Sequence, residues 1–280
     1  MTRVLQTLSF VFLASCAAAL PNEDGAIVDK LRLLAARAEP PEISPGQTAA
    51  LDALVIDPKG GGRSLTYTWL ACDPDLNNFY GTVCSNGDRL RDLAALARDP
   101  SVHSLGTAPT ASYAASSQIF AGRASDDPLR FFGVSAEILL VVSPGTFEQA
   151  AAGTVESQTA FLRVAVSELP SAIQNANPTF IDATATGSPL LLTMTAPPSA
   201  AQTFFELDPT VPEGYRERPE GLFVRWYATA GVFTARPDLD DGTPPVKGRA
   251  MNIDAPTGTT VAVVLRDGRG GVAWKRVVAK

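Results

Sequence analysis

Two stretches decide the fold of this chain: Leu65-Thr-Tyr-Thr-Trp-Leu-Ala71 and Gly221-Leu-Phe-Val-Arg-Trp-Tyr227. In the first, Leu65, Tyr67 and Trp69 alternate with other residues and therefore fall on one face of an extended chain. Alternation with a period of two is typical of a half-buried β-strand. Because both stretches place a tryptophan four residues after a leucine, we expect one structural unit to occur twice.

Other β-rich runs bounded by proline, glycine and further turn residues predict additional strands on both sides of a polar segment. They cover residues 31–37, 49–56, 136–142 and 160–166 before that segment, and 179–184, 190–195, 259–265 and 272–278 after it. Several short strands at close spacing are typical of a β-sandwich. The sequence therefore predicts an all-β fold with two sandwich domains in tandem, residues 27–168 and 178–280, joined by a linker at 169–177.

The second unit contains three motifs: Trp226-Tyr-Ala-Thr-Ala-Gly-Val-Phe233, Ala255-Pro-Thr-Gly258 and Val261-Ala-Val-Val-Leu-Arg-Asp-Gly-Arg-Gly-Gly271. With these motifs it resembles bacterial immunoglobulin-like and PKD-like domains over roughly residues 178 to 280. The resemblance implies that Trp69 and Trp226 each pack in the core of an immunoglobulin-like sandwich; the alternative is a pair of tryptophans that stack on a ligand. The glycines after Asp267 suit a hairpin, because glycine accepts a positive φ.

Residues 87–130 fit the sandwich pattern poorly, and we expect a partly helical insertion there. Leu90, Leu93, Ala94 and Ala97 recur at helical spacing, with Asp88 placed to cap the start of a short helix. We expect the apolar face of this helix to pack on the sheet, with partner binding as the alternative.

The first residues form a leader with one arginine, Arg3, followed by an apolar run up to Leu20. This pattern is typical of a secretory signal peptide. The run contains Leu13-Ala-Ser-Cys16, which resembles the lipobox of bacterial lipoproteins. The resemblance implies a signal peptide at 1–15, a lipid on Cys16 and a lipidated tether at 16–26. Because Ala17 and not aspartate follows the cysteine, it also implies the outer membrane. Cleavage after Ala19, which would discard Cys16, and an uncleaved anchor are the alternatives.

Only two cysteines, Cys72 and Cys84, remain once Cys16 is set aside. Exported proteins meet oxidising conditions, so we expect a Cys72–Cys84 disulfide, with two free thiols or a metal site as alternatives. The net charge of −6 is spread along the chain without a basic stripe, which argues against a nucleic-acid partner.

Catalytic motifs are scarce in this sequence. The single histidine, His103, lies in a predicted loop, and no Gly-x-Ser-x-Gly elbow, phosphate loop or dinucleotide fingerprint occurs. Clustered loop carboxylates at Asp238, Asp240 and Asp241 suit weak Ca²⁺ binding, although solvated turns explain them as well. We expect no other cofactor and no catalytic residue.

These observations favour an outer-membrane lipoprotein that acts as a non-enzymatic binding, adhesion or scaffold module for an envelope protein or glycan. We expect its binding surface on the Cys72–Cys84 loop and the 87–130 insertion, because loops at the end of a sandwich carry function in many such folds. The alternative is a carbohydrate-binding or accessory lipoprotein of a surface-polysaccharide or cell-wall system. In that case Trp274, Tyr227 and Tyr80 would be exposed and would stack on sugars.

Overall fold

The computed structural model describes residues 25–76, 92–96, 98–208, 210–212, 214–234, 238–240 and 251–279. The first half of the chain contains β1 (Arg32–Glu39), β2 (Glu42–Ile43), β3 (Thr48–Ile56), β4 (Thr66–Cys72), α1 (Leu93–Leu96), β5 (Val102–Gly106), β6 (Ala111–Ala114), α2 (Pro128–Phe132), β7 (Val134–Ser143), α3 (Phe147–Ala151) and β8 (Gln158–Val166). The second half contains β9 (Asp182–Thr186), β10 (Leu190–Thr195), β11 (Thr203–Leu207), β12 (Tyr215–Pro219), β13 (Leu222–Ala228), β14 (Val232–Phe233), β15 (Asp238–Asp240), β16 (Met251–Asp254), β17 (Thr260–Asp267) and β18 (Val272–Val278).

The N-terminal sandwich packs a three-stranded sheet, β1-β3-β6, against a five-stranded sheet, β2-β8-β7-β4-β5. In immunoglobulin letters this order is A-B-E against A′-G-F-C-C′. The strand pairs are antiparallel except for β2 with β8, which run parallel. Trp69 on β4 is fully buried in the core between the sheets, and its indole Nε1 donates to the Ala108 carbonyl at 3.0 Å.

The C-terminal sandwich has the sheets β9-β10-β16-β14 and β15-β13-β17-β18, in which β9, β10 and β16 correspond to A, B and E and β13, β17 and β18 to C, F and G. Trp226 on β13 is fully buried at the equivalent place. The all-β, tandem immunoglobulin-like fold expected from the sequence is therefore present. An extra two-stranded ribbon, β11-β12, follows β10 and precedes β13 in the chain. This ribbon was not expected from the sequence.

The turn between β17 and β18 explains the Asp267-to-Gly271 motif. The Asp267 carboxylate oxygen Oδ1 accepts hydrogen bonds from the amides of Arg269 and Gly271, at 2.8 and 2.7 Å. Gly270 adopts a φ of +104°, a conformation that other residues rarely adopt. The hairpin therefore depends on both the carboxylate and the glycine.

The two sandwiches pack face to face through a third apolar cluster. Leu34 and Leu54 from the β1-β3-β6 sheet meet Tyr227, Val264 and other residues of the C-terminal β13-β17-β18 strands. A bulge in β1 between Leu33 and Ala35 disrupts the register with β3, and both Leu34 and Ala35 belong to this cluster. The sandwiches are thus stacked as four sheets.

The chain crosses between sandwiches at its start as well as at the expected linker. Val28 donates its amide to the Ala228 carbonyl at 2.7 Å, and Ala228 donates to the Ala26 carbonyl at 2.9 Å. Residues 26–28 therefore pair with β13 of the C-terminal sandwich before the chain enters β1 of the first sandwich. The linker 169–177 is held by hydrogen bonds from two buried residues. Gln174 bonds to Ser44 of the first sandwich and to Gln202 of the second, and the Asn175 amide donates to Glu42 of the first.

The expected insertion at 87–130 requires a correction, because two sandwich strands lie inside it. β5 pairs with β4 and β6 pairs with β3, so this range supplies the C′ and E strands. The helix α1 is short, and Asp92 caps it by accepting from the amides of Ala94 and Ala95. Leu93, which belongs to the expected apolar face, packs partly buried against a cluster on the outer face of the sheet, as expected. Leu96, which was not assigned to that face, is the buried residue of the helix and packs with Leu70. Asp88, Leu90 and Ala97 lie outside the described residues.

Within the described part of the chain, no helix is both long enough and apolar enough to span a bilayer.

Candidate functional site

A cleft opens on one edge of the N-terminal sandwich because its first strand divides between the two sheets. β1 pairs with β3, and after Pro40-Pro41 the chain changes sheets so that β2 pairs with the end of β8. β1 and the rest of β8 are left side by side without pairing. The cleft between them has a volume of about 680 Å³.

Three walls enclose this edge cleft. The first is residues 33–36 of β1, and the second is residues 160–163 of β8 together with Glu137 of β7. The third comes from the C-terminal sandwich, where Arg266, Val272 and the β17-β18 turn line the space. The cleft therefore exists only because the two sandwiches stack.

The backbone edge of β8 is free along the cleft. Ala165 donates its amide to the Pro41 carbonyl at 2.9 Å, so this amide points away from β7. Since amide directions alternate along a strand, the amides and carbonyls of Thr159, Phe161 and Arg163 point the same way. No described residue bonds to these backbone groups.

The facing edge of β1 is occupied instead. The Leu34 carbonyl accepts from Arg266 Nη2 at 2.8 Å, and the Ala38 carbonyl accepts from the Asn177 side-chain amide at 2.7 Å. The C-terminal sandwich and the linker thus cover the β1 edge and leave the β8 edge exposed. Exposed strand edges are the usual place for another strand to add.

The charged side chains that line the cleft are the three arginines Arg163, Arg266 and Arg269 and one carboxylate, Glu137. Arg163 is exposed and forms no ion pair with any described residue, although Glu137 lies opposite it in the strand register. Arg266 bonds to a neutral carbonyl and forms no ion pair with any described residue. Phe161 is 46% exposed. The cleft therefore combines an excess of arginines over carboxylates with a largely apolar lining, on a protein of net negative charge.

The carboxylate cluster, Glu42, Glu220 and Asp267 around Arg269, lies behind this cleft at the junction of the sandwiches. Arg269 Nη2 is 2.8 Å from Glu42 Oε2, and Nη1 is 3.3 Å from Glu220 Oε1. All three carboxylates are buried, and Asp267 Oδ2 has no hydrogen-bond partner among the described residues. Among these residues no group of His, Cys, Asp or Glu side chains is arranged to hold a metal ion.

Burial affects the pKa values of two carboxyls in this cluster, Glu220 and Asp267. It raises the pKa of the Glu220 carboxyl, and the charge of Asp267 adds to the rise, whereas the Gln202 amide and Arg269 oppose it. Burial also raises the pKa of Asp267, against the hydrogen bonds from Arg269 and Gly271. Glu42 is held by Ser167 Oγ at 2.5 Å and by the Asn175 amide at 2.6 Å. One arginine thus links carboxylates from both sandwiches.

Most of the site residues expected from the sequence do not meet in this cleft. Cys16, Cys84 and Asp241 lie outside the described residues, so lipidation and the Cys72–Cys84 disulfide stay predictions. Cys72 is buried at the end of β4. Asp238 and Asp240 belong to the paired strand β15 and not to a loop, and Ca²⁺ binding remains untested.

Two of the three expected sugar-stacking side chains lie at the interface between the sandwiches. Tyr227 is buried there, and Trp274 packs partly buried against the same cluster with the Arg37 guanidinium 4.4 Å from the centre of its ring. Tyr80 lies outside the described residues. The expectation of exposure is therefore wrong for Tyr227, which the stacking of the sandwiches buries, and Trp274 is exposed only in part.

His103 lies in a strand, not in a loop. It pairs with Ala71 across β4-β5, and its Nε2 is 2.8 Å from Asp73 Oδ2. Tyr113 donates to the other oxygen of Asp73 at 3.3 Å, and burial raises the pKa of this tyrosine well above its ordinary value. We assign these contacts to the attachment of β5 and β6 to the end of β4.

Phe161, Arg163, Arg266 and Glu137 were not singled out by sequence. One signal was present: Phe161 and Arg163 alternate with apolar residues in a predicted strand, which places a large ring and a cation on the outer face. Whether the edge of their strand is paired depends on the strand order, which could not be predicted from the sequence.

Comparison with known proteins yields no family. No protein-family model matches the chain, and no curated protein matches it. Among solved structures, the chicken CNTN1 FN1-FN3 domains are 8% identical, with a TM-score of 0.23, covering 87% of this chain and 66% of that chain. The tandem Ig repeats of Dlar are 9% identical, with a TM-score of 0.22, covering 90% and 99%. The 47-kilodalton lipoprotein of Treponema pallidum, Tp47, is 10% identical, with a TM-score of 0.19, covering 90% and 51%. The strand order, and not these likenesses, establishes the fold.

Proposed function

We propose that this chain is an exported lipoprotein of a bacterial outer membrane and that it serves there as a non-enzymatic binding module. The observation that carries the proposal is the edge cleft, a space with an excess of arginines over carboxylates and a free strand edge, formed jointly by two stacked sandwiches. Binding folds commonly use concave surfaces where domains meet. The leader with Cys16 supports the anchor, since a lipid-bearing N-terminus would hold the module at the membrane surface.

The anchor is tested by metabolic labelling. We expect the wild-type chain to incorporate labelled palmitate and to fractionate with outer membranes, and Cys16→Ala to lose both properties. Cys84→Ala is the matched control and should still label. Labelling of Cys16→Ala would refute the lipid anchor.

The binding role is tested by crosslinking in the cells that make the protein. A photoreactive phenylalanine analogue at Phe161 should form adducts with an envelope component that mass spectrometry can identify. Phe223, which is 41% exposed on the C-terminal sandwich, is the control position. Equal adducts from both positions, or none from Phe161 in cells where the protein is abundant, would contradict a binding role for the edge cleft.

A further inference from the structure

We propose that the edge cleft binds an extended acidic peptide segment, which adds as a strand along the free edge of β8. This inference rests on the proposed binding function and names its ligand class. It depends on three observations: the unpaired backbone groups of β8, the two arginines that form no ion pair with any described residue and the exposed ring of Phe161.

The backbone supplies the main recognition. The unpaired stretch of β8 runs from Thr159 to Arg163 and precedes Ala165, where the pairing with β2 begins. Within these five residues, the amides and carbonyls of Thr159, Phe161 and Arg163 point away from β7. A strand added at a sheet edge forms regular main-chain hydrogen bonds with such groups, and its side chains then give specificity. The β1 edge cannot take this role, because Arg266 and Asn177 already occupy its carbonyls.

The side chains select the sign of the ligand's charge. Arg163 and Arg266 line the space and form no ion pair with any described residue, whereas Arg269 is paired with Glu42 and Glu220. Glu137, opposite Arg163 in the strand register, is the one carboxylate among the lining residues, so the two arginines leave an excess of positive charge there. A carboxylate on the incoming strand would form charge-assisted hydrogen bonds with these arginines. A basic strand would be repelled.

Phe161 gives the cleft an apolar contact. Phe161 and Arg163 are two residues apart on β8 and point to the same face of its sheet, so an added strand would meet both with the side chains of one of its own faces. On that face an apolar residue would cover the ring, and an acidic residue two positions away would approach Arg163. An acidic polysaccharide offers the charge but lacks the main-chain amides that complete the β8 ladder.

The test uses the full chain purified in detergent and a fluorescent peptide of about eight residues in which every second residue is a serine and the residues between the serines are aspartate and valine in turn, so that one face carries both. We expect saturable binding by fluorescence anisotropy, at least about tenfold tighter than that of peptides with asparagine or lysine in place of aspartate. A peptide with every backbone amide N-methylated keeps its charge but has no main-chain N–H to donate to the β8 carbonyls, so it cannot complete the ladder. It should bind at least about tenfold more weakly. Hydrogen exchange should slow at 159–163 when the aspartate peptide binds.

Variants of the protein locate the site. Arg163→Gln and Phe161→Ser should each weaken binding about tenfold, whereas Arg218→Gln and Phe223→Ser, at exposed positions elsewhere, should not change it. A thermal melt of each variant confirms that it folds, and the exchange and N-methylation measurements need no variant.

Three outcomes would overturn the proposal. The first is equal binding of the N-methylated peptide, and the second is no slowing of exchange at 159–163. The third is binding of an oligogalacturonate that depends on Arg163 while no peptide binds, which would assign the cleft to an acidic saccharide. If Phe161 crosslinks to a cellular component but the peptides fail, the binding module stands and strand addition is wrong.

Discussion

At the scale of single residues, the two core tryptophans occupy equivalent strands but differ in one hydrogen bond. Trp69 Nε1 donates to the Ala108 carbonyl, whereas Trp226 Nε1 is buried without a partner among the described residues. A buried donor without an acceptor costs free energy, so the same substitution should have different effects at the two positions.

We therefore expect Trp69→Phe to lower the free energy of unfolding by about 1 to 2 kcal/mol more than Trp226→Phe does. Both variants lose similar apolar area in a sandwich core, so each serves as the control for the other. Urea denaturation of the purified chain measures the difference. Equal losses, or a larger loss at Trp226, would mean that the Ala108 bond does not contribute.

At the scale of elements, the sequence predicted the strands that carry a clear burial pattern. β4, β7, β13 and β17 each contribute buried side chains to the core, and such strands leave a period-two or continuous apolar signature. The predicted boundaries for these elements agree with the structure to within a few residues.

The β11-β12 ribbon shows why other elements escaped prediction. Every side chain of β12, Tyr215–Pro219, is exposed, so burial imposes no pattern on its sequence. Its support comes from cross-strand contacts: the Arg218–Glu206 ion pair at 2.8 Å and the edge-to-face packing of Phe205 on Tyr215. These pairs depend on the strand register, which alternation within one segment does not reveal.

The edge cleft was unpredictable for a related reason. β8 was expected as a strand, and Arg163 and Phe161 fall within it, but neither residue type marks a site alone. The β8 edge is unpaired because the chain changes sheets at Pro40-Pro41. The third wall of the cleft belongs to the other sandwich. The site therefore emerges from long-range packing, which a single sequence does not encode in any local pattern.

At the scale of the whole molecule, Arg269 joins the sandwiches, because it contacts Glu42 from the first and Glu220 from the second. Removal of one member of a buried ion pair leaves uncompensated charge. We expect Arg269→Met to lower the free energy of unfolding near neutral pH by about 3 kcal/mol. The control Arg218→Met breaks an exposed pair and should cost about 1 kcal/mol or less. Similar losses for the two variants in urea denaturation would contradict a joining role for Arg269.

The same cluster predicts a pH dependence. Since the pKa of Glu220 is raised in the native state, the folded protein holds that proton more firmly than the unfolded chain, whose pKa is 4.5. The resulting stabilisation is complete below pH 4.5 and is lost as the pH rises through the native pKa. Asp267, whose pKa is also raised, acts in the same direction.

We expect the wild-type chain to lose more stability than Glu220→Gln when the pH is raised from about 4.5 to about 7. Asp127, Asp182 and Asp208 have lowered pKa values and oppose this trend, but they are common to both proteins and cancel in the difference. Denaturation at several pH values measures it. A steeper decline in Glu220→Gln would show that burial does not set this carboxyl's proton affinity.

The attachment of Ala26 and Val28 to Ala228 sets the direction in which mechanical load would enter the protein. An extended chain from Cys16 to Ala26 reaches at most about 35 Å, so a lipid on Cys16 would keep the C-terminal sandwich near the bilayer. Tension between the membrane and a ligand held on β8 would load that sandwich first. The force would then pass through the interface between the sandwiches before it reached the ligand. The contact that breaks at the lowest force, whether within the C-terminal sandwich, at the interface or at the ligand, would set the force at which binding is lost.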